Sequence, residues 1–297
     1  MLWSIFEKVN EQLAADKLLT YAGLFERLSE YFSKQIKSPY DYAIVDEAQD
    51  ISVCNLRFLS ALCKNNPNAL FFAGDLGQRI FQQAFSWKAV GVDIRGRART
   101  LNVNYRTSHQ IRQHADRLLA PEVTDADGNV EERGKTMSVF NGAEPSLEIF
   151  QSTEDESAFV GIWISEQIQN GVAPHEIGVF VRSEKQLDRA MEAAKEAKVD
   201  YKLLDETVET ISGSIAISTM HFAKGLEFKS VAVMACDDEI IPLQERIEAI
   251  TDNADLEEVY NTERHLLYVA CTRARDTLLV TSVDPASEFL EDLKMGN

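Results

Sequence analysis

The chain has 297 residues, 45% of them hydrophobic and 26% charged, the balance of a protein with a sizeable core and room for about two domains. A formal net charge of -18 argues against nonspecific coating of nucleic acid, because that affinity comes from phosphate neutralisation by basic side chains. No apolar run approaches the roughly 20 residues needed to span a bilayer, and the opening stretch to Val9 has neither a basic lead-in nor a small-residue cleavage site, so a cytoplasmic location is expected.

In chain order, residues 1–37 read as two helices, with Thr20 as the cap of the second and Leu24, Phe25, Leu28, Tyr31 and Phe32 at helical spacing. After the stop at Ser38-Pro39, Tyr42-Ala-Ile-Val-Asp46-Glu47-Ala-Gln-Asp50 is an apolar run ending abruptly in acids, the pattern of a buried strand that delivers carboxylates to its carboxyl end. Ser52 caps a helix that carries Val53, Leu56, Leu59 and Leu62 to the break at Asn65-Asn66-Pro67. A second buried strand, Ala69 to Ala73, ends in Gly74-Asp75-Leu76-Gly77-Gln78. Beyond Arg99 the pattern predicts strands at 100–103, 147–151, 177–182, 201–204, 214–219, 230–234 and 277–281. Helices are predicted at 108–119, 155–169, 184–197, 257–274 and 286–294, with acidic loops at 121–145 and 235–256. This alternation predicts an α/β fold with parallel sheets flanked by helices, divided into domains at 1–98 and 99–297.

Cys54, Cys63, Cys236 and Cys271 form no C-x-x-C pair and read as small core hydrophobes. Bases gather at Arg95, Arg97 and Arg99 and again at Arg106, Arg112 and Arg117, while acids crowd 122–132, 144–156 and 237–258, which leaves room for one basic surface facing nucleic acid.

Two acids at a strand end suit metal and water chemistry. In a nucleotide-hydrolysing site Asp46 would hold Mg²⁺ through its water shell and Glu47 would deprotonate the attacking water. Four further blocks follow in order: Gly74-Asp-Leu-Gly-Gln78; Asn104-Tyr105-Arg106-Thr107; Thr219-Met-His221-Phe-Ala-Lys-Gly225-Leu-Glu227-Phe228; and Leu267-Tyr268-Val-Ala-Cys-Thr-Arg273-Ala-Arg275. In sequence and order these five blocks resemble the second to sixth motifs of superfamily-one DNA helicases of the UvrD/Rep/PcrA type.

The resemblance implies two RecA-like P-loop NTPase folds, a partial first domain and a complete second one, that use ATP and Mg²⁺ to move 3′–5′ along single-stranded or duplex DNA. It implies that Arg106 and Arg273 reach the γ-phosphate from the second domain while Asp46, Glu47 and Gln78 approach from the first, the cleft closing as the motor stroke. Permanently charged guanidinium suits that task. By the same resemblance Glu227 contacts the ribose, Gly225 allows close backbone approach, Tyr105 contributes to the nucleotide site, and Tyr268 orders the last helix. Thr219 and His221 are expected at the junction of DNA and ATP. Phe85 and Trp87, beside a basic tract, suit a platform for stacked bases, with Trp87 favoured and core packing the alternative.

The phosphate-cradling G-x-x-x-x-G-K-[ST] loop is missing from the 297 residues. Gly134-Lys135-Thr136 is rejected as that loop, because position 129 is Asn and Glu131-Glu132-Arg133 precedes it where an apolar strand belongs. The expectation is therefore a carboxyl-terminal helicase portion that works with an amino-terminal helicase segment or another protein. The alternative is a non-catalytic, helicase-derived module that binds DNA or a partner.

Overall fold

The computed structural model describes residues 2–75, 78, 85–94, 96–120, 122–124, 130–132, 136–205, 209–250 and 253–294. The chain forms two compact units, one built mainly from Met1–Leu76 and Phe81–Ala98, the other mainly from Arg99–Val123 and Val130–Asn297, with Gln78 packing in the second.

In the first unit, α1 (Leu2–Ala15) and α2 (Tyr21–Lys34) precede β1 (Ala43–Val45), then α3 (Val53–Leu62) and β2 (Leu70–Phe72). The expected caps form: Thr20 Oγ1 accepts from Gly23 N at 3.0 Å, and Ser52 Oγ accepts from Asn55 N at 3.4 Å, each satisfying an otherwise orphaned amide of the first turn. β1 and β2 pair in parallel, Ala43 opposite Leu70 and Val45 opposite Phe72. Their inward side chains, Val45 and Phe72, meet Leu56, Leu59 and Ile51. The expectation that both strands are buried is corrected here, since the alternate face exposes Ile44 by 81% and Phe71 by 64%. Period-two alternation puts one face of a strand on the helices and leaves the other to whatever covers it, a distinction that a continuous apolar run does not encode.

The second unit is organised on a six-stranded, wholly parallel sheet in the order β7-β12-β11-β8-β10-β9. Its strands are β7 (Ser146–Phe150), β8 (Ile177–Val181), β9 (Tyr201–Leu203), β10 (Ile215–Thr219), β11 (Phe228–Val233) and β12 (Ala274–Val283). β8 and β10 are buried along their whole length, as befits strands covered on both faces. One face packs α5 (Thr153–Gln169) and α6 (Leu187–Glu196) through Val160, Ile164, Ala190 and Ala193. The other packs α4 (His109–Asp116), α8 (Asn253–Cys271) and α9 (Phe289–Lys294) through Ile111, Leu266, Tyr268 and Phe289. The α/β, parallel-sheet expectation is met.

Several boundaries differ from the sequence reading. Of the expected strand 100–103 only Val103 falls in β3 (Val103–Asn104), and the expected loop at 121–145 contains β4 (Glu122–Thr124), β5 (Val130–Glu132) and β6 (Met137–Ser138). β3 pairs with β6, and β4 with β5. The loop at 235–256 contains α7 (Gln244–Glu248) and the first residues of α8, which therefore begins earlier than 257. Local pairing suffices for two- and three-residue strands of this kind, so no apolar period announces them. Cys63, Cys236 and Cys271 are buried, and burial pushes the Cys271 thiol up to about 12.

Gly161 marks a close approach of two helices. A Cβ there would lie 2.6 Å from Glu196 Cβ and 2.9 Å from Ala193 O, so α5 and α6 approach only because the side chain is absent. Gly161→Ala gains helix propensity of at most about 1 kcal/mol but overpacks the contact, and a net destabilisation of roughly 1–2 kcal/mol is expected. A lower urea midpoint with an unchanged slope checks this.

Candidate functional site

In the first unit the acids leave β1 directly. Glu47 adopts a left-handed backbone (φ 52°, ψ 42°), Asp46 Oδ1 accepts from Glu47 N at 2.9 Å, and Ala48 N reaches across to Ala73 O at 2.8 Å. Both carboxylates are solvent-exposed. Among the described residues no cluster of three metal-ligating side chains occurs. A Mg²⁺ held by one carboxylate, water and phosphate oxygens requires none, so Asp46 fits that role. Gln49 is buried beside them, donating through Nε2 to Glu47 Oε2 and accepting through Oε1 from Asp75 N at 3.0 Å.

Phe85 and Trp87 are half-buried and belong to the small core of the first unit. Trp87 meets Phe72 edge-on at 4.8 Å between centroids and stacks on Phe85 at 5.7 Å. Part of each ring is thus already committed to packing.

In the second unit the parallel register sorts the expected residues between two edges. Phe228 pairs with Ala274 and Phe228 N donates to Arg273 O at 3.0 Å, so the residues that immediately precede β11 and β12, Glu227 and Arg273, lie together at the amino edge. Arg106 joins them, donating through Nη2 to Leu226 O, while its Nε lies 3.1 Å from Glu227 Oε2. That ion pair lacks hydrogen-bond alignment at Nε and is partly exposed, the side chains at 35% and 51%, so it holds direction more than it adds stability.

Arg273 is fully buried. Its Nε donates to Val269 O at 2.9 Å, its Nη1 to Leu226 O at 3.4 Å, and its Nη2 to Gln78 Oε1 at 3.2 Å and Thr272 Oγ1 at 3.3 Å. One backbone carbonyl, Leu226 O, therefore serves both guanidinium groups. Lys224 Nζ donates to Gln78 O at 3.0 Å. Gly225 has φ +80°, with open space where a Cβ would stand, and Tyr105 is 74% exposed beside Arg106. Two permanent cations and a glycine with a left-handed backbone at one sheet edge fit a polyanionic ligand such as a nucleotide. Tyr268 is buried in α8, with the Arg112 guanidinium 5.9 Å from its ring centroid.

Thr219 and His221 occupy the opposite edge. Thr219 pairs with Val181 at the carboxyl ends of β10 and β8, and residues 220–227 cross from there to the amino edge. Nearby, Arg182 grips buried Glu263 of α8 with a fork, Nε to Oε2 at 2.5 Å and Nη2 to Oε1 at 2.6 Å, and Arg246 Nη1 adds a contact to Oε1 at 2.9 Å. Burial, reinforced by Arg182 and Arg246 and opposed by Glu263, holds the His221 imidazole below the usual histidine range.

Sequence reasoning gave no role to Gln49 or Lys224, although both stand inside the recognised blocks. The carbonyl of Leu226 carries no sequence signal. The rejected loop candidate at Gly134-Lys135 lies outside the described residues.

The UvrD/REP helicase N-terminal domain family matches residues 3–88, and the UvrD-like helicase C-terminal domain family matches residues 204–284. Each unit thus contains a stretch similar to a UvrD-like helicase domain. These UvrD-like stretches include Asp46, Glu47, Gln78, Glu227 and Arg273, whereas Tyr105 and Arg106 fall between them. A "Probable DNA helicase" of Mycoplasma pneumoniae is 26% identical over 281 residues, covering 92% of this chain and 49% of its own. The ATP-dependent DNA helicase UvrD1 of Mycobacterium leprae is 33% identical over 100 residues, 30% of this chain and 12% of its own. The chain thus spans about half, or less, of the length of these curated relatives. Among solved structures, the C-terminal domain of a "possible DNA helicase" from Lactobacillus plantarum aligns with a TM-score of 0.45 at 18% identity, over 64% of this chain and 94% of that one.

The depressed imidazole has a stability consequence. Between the ordinary histidine value near 6.5 and the lower folded value, the unfolded chain binds a proton that folded His221 refuses. Stability therefore falls as pH drops through this window. His221→Gln removes this titrating group, so wild type should lose stability relative to the variant on acidification below about pH 6.5. Denaturant titrations of both proteins from pH 7.5 to 5 measure the difference.

Proposed function

We propose that the chain works in an ATP-dependent DNA helicase or translocase that moves 3′–5′ along single-stranded or duplex DNA. The observation that carries this reading is the convergence of Arg106 and Arg273 on Leu226 O at the amino edge of β11 and β12, with Glu227 paired to Arg106 and Gln78 bonded to Arg273. In this reading Arg106 and Arg273 neutralise charge developing on a transferred phosphoryl group, Glu227 orients a ribose, and Tyr105 contributes to the nucleotide site beside them. Glu47 is the general base and Asp46 holds Mg²⁺ through water; the metal, when bound, neutralises phosphate charge.

In the first unit Phe85 and Trp87 present their uncommitted ring surface to bases of single-stranded DNA, and in the second Thr219 and His221 contact DNA. Because residues 1–297 contain no G-x-x-x-x-G-K-[ST], turnover requires a phosphate loop supplied by an amino-terminal helicase segment. No described helix is long and apolar enough to cross a membrane.

The test is DNA-stimulated ATPase, measured for the chain alone and for the chain joined to a loop-bearing helicase segment. Negligible activity alone and restored activity when joined are expected. In the joined form Glu47→Gln should keep nucleotide binding and lose turnover by on the order of 10²–10⁴-fold, and Arg106→Ala should lose about 10³-fold. Robust ATPase from the chain alone, or near-normal turnover in Glu47→Gln, overturns the reading.

A further inference from the structure

We infer that Gln49 is a positioning residue that holds the Glu47 carboxylate and the Gly74–Asp75 turn in one hydrogen-bonded unit. Its value to turnover rests on Glu47 being the general base, whereas the linkage itself stands on geometry alone.

Gln49 lies in the short 3₁₀ turn Ala48–Asp50 that follows β1, and its residue is 6% exposed. The two ends of its amide serve different partners. Nε2 donates to Glu47 Oε2, and Oε1 accepts from Asp75 N at 3.0 Å. Partner chemistry fixes which end points where, since a carboxylate only accepts and a backbone amide only donates. The amide therefore spans the carboxyl ends of both strands, reaching the acid after β1 with one hand and the turn after β2 with the other.

Two features show that the surrounding backbone is shaped to this contact. A Cβ on Gly74 would stand 2.5 Å from Gln49 Oε1 and 3.1 and 3.2 Å from Ala48 N and Gln49 N, so only glycine lets the turn come this near. Glu47 itself takes a left-handed backbone, a conformation that L-residues with a Cβ adopt at a cost. A buried glutamine needed only to fill space would require neither. Because one arm needs a donor and the other an acceptor, the arms can be separated by substitution.

Gln49→Met keeps the shape and removes both arms. Gln49→Glu keeps an acceptor for Asp75 N, removes the donor and sets a second acid against Glu47. In the 297-residue chain, amide exchange at Asp75 should accelerate on the order of 10-fold in Gln49→Met and stay near wild type in Gln49→Glu. The Gln49 side-chain amide protons should exchange faster by a similar factor in Glu47→Ala. In the loop-completed enzyme both Gln49 variants should lower kcat by about 10²-fold with the KM for ATP nearly unchanged.

Asp75 exchange that is identical in wild type and Gln49→Met, or wild-type kcat in both variants of an enzyme that Glu47→Gln inactivates, overturns the proposal. If the exchange pattern splits as expected while Glu47→Gln remains active, the linkage holds and the assignment of Glu47 as base is what fails.

Discussion

The parallel register between β11 and β12 is the constraint on which the second unit's chemistry depends. The pair carries a register shift between Phe228–Ala274 and Ser230–Thr277, and it is the pairing on the amino side of that shift that keeps Glu227 and Arg273 in step. With Phe228 bonded to Arg273 O, the two residues that lead into neighbouring strands have no freedom to separate. Leu226 O is thereby presented to both guanidinium groups. The burial of Arg273 follows from the same arrangement, because a guanidinium is tolerated inside a protein when its donors find fixed acceptors.

Much of this was legible in the sequence because long apolar periods and capping residues act locally. Thr20 and Ser52 start helices where they were expected, and the six strands of the main sheet follow their apolar runs to within a few residues. The residue types of the proposed nucleotide site also stand in the sequence, since the recognised blocks name them. What the sequence did not disclose is which edge of the sheet each block reaches. Thr219 and Glu227 are eight positions apart and stand on opposite edges, because the intervening segment crosses the sheet rather than turning at its end. Backbone acceptors such as Leu226 O, and the double use of Gln49, are set by tertiary approach and have no composition of their own.

The first unit shows the same limit in its packing. Ile44 and Phe71 belong to runs that read as buried, and Trp87 to a tract that reads as a platform, yet Ile44 and Phe71 face solvent and Trp87 leans on Phe72. Aromatic rings carry both capacities, because their large apolar area favours a core and their flat face favours a base. In a half-buried ring the two uses compete for the same surface, so a change of packing around Phe72 would alter the area of Trp87 left to meet a nucleotide.

The α8 helix joins features that are otherwise far apart. Its Glu263 sits in the forked ion pair with Arg182 near His221, and Arg273 follows its carboxyl end about 15 Å further along the axis. The buried charge pair holds α8 near its middle, and the same helix leads within about three turns to the guanidinium of Arg273. The imidazole, whose proton affinity is set partly by those same charges, thus shares its electrostatic surroundings with the helix that leads to Arg273 on the opposite edge of the sheet.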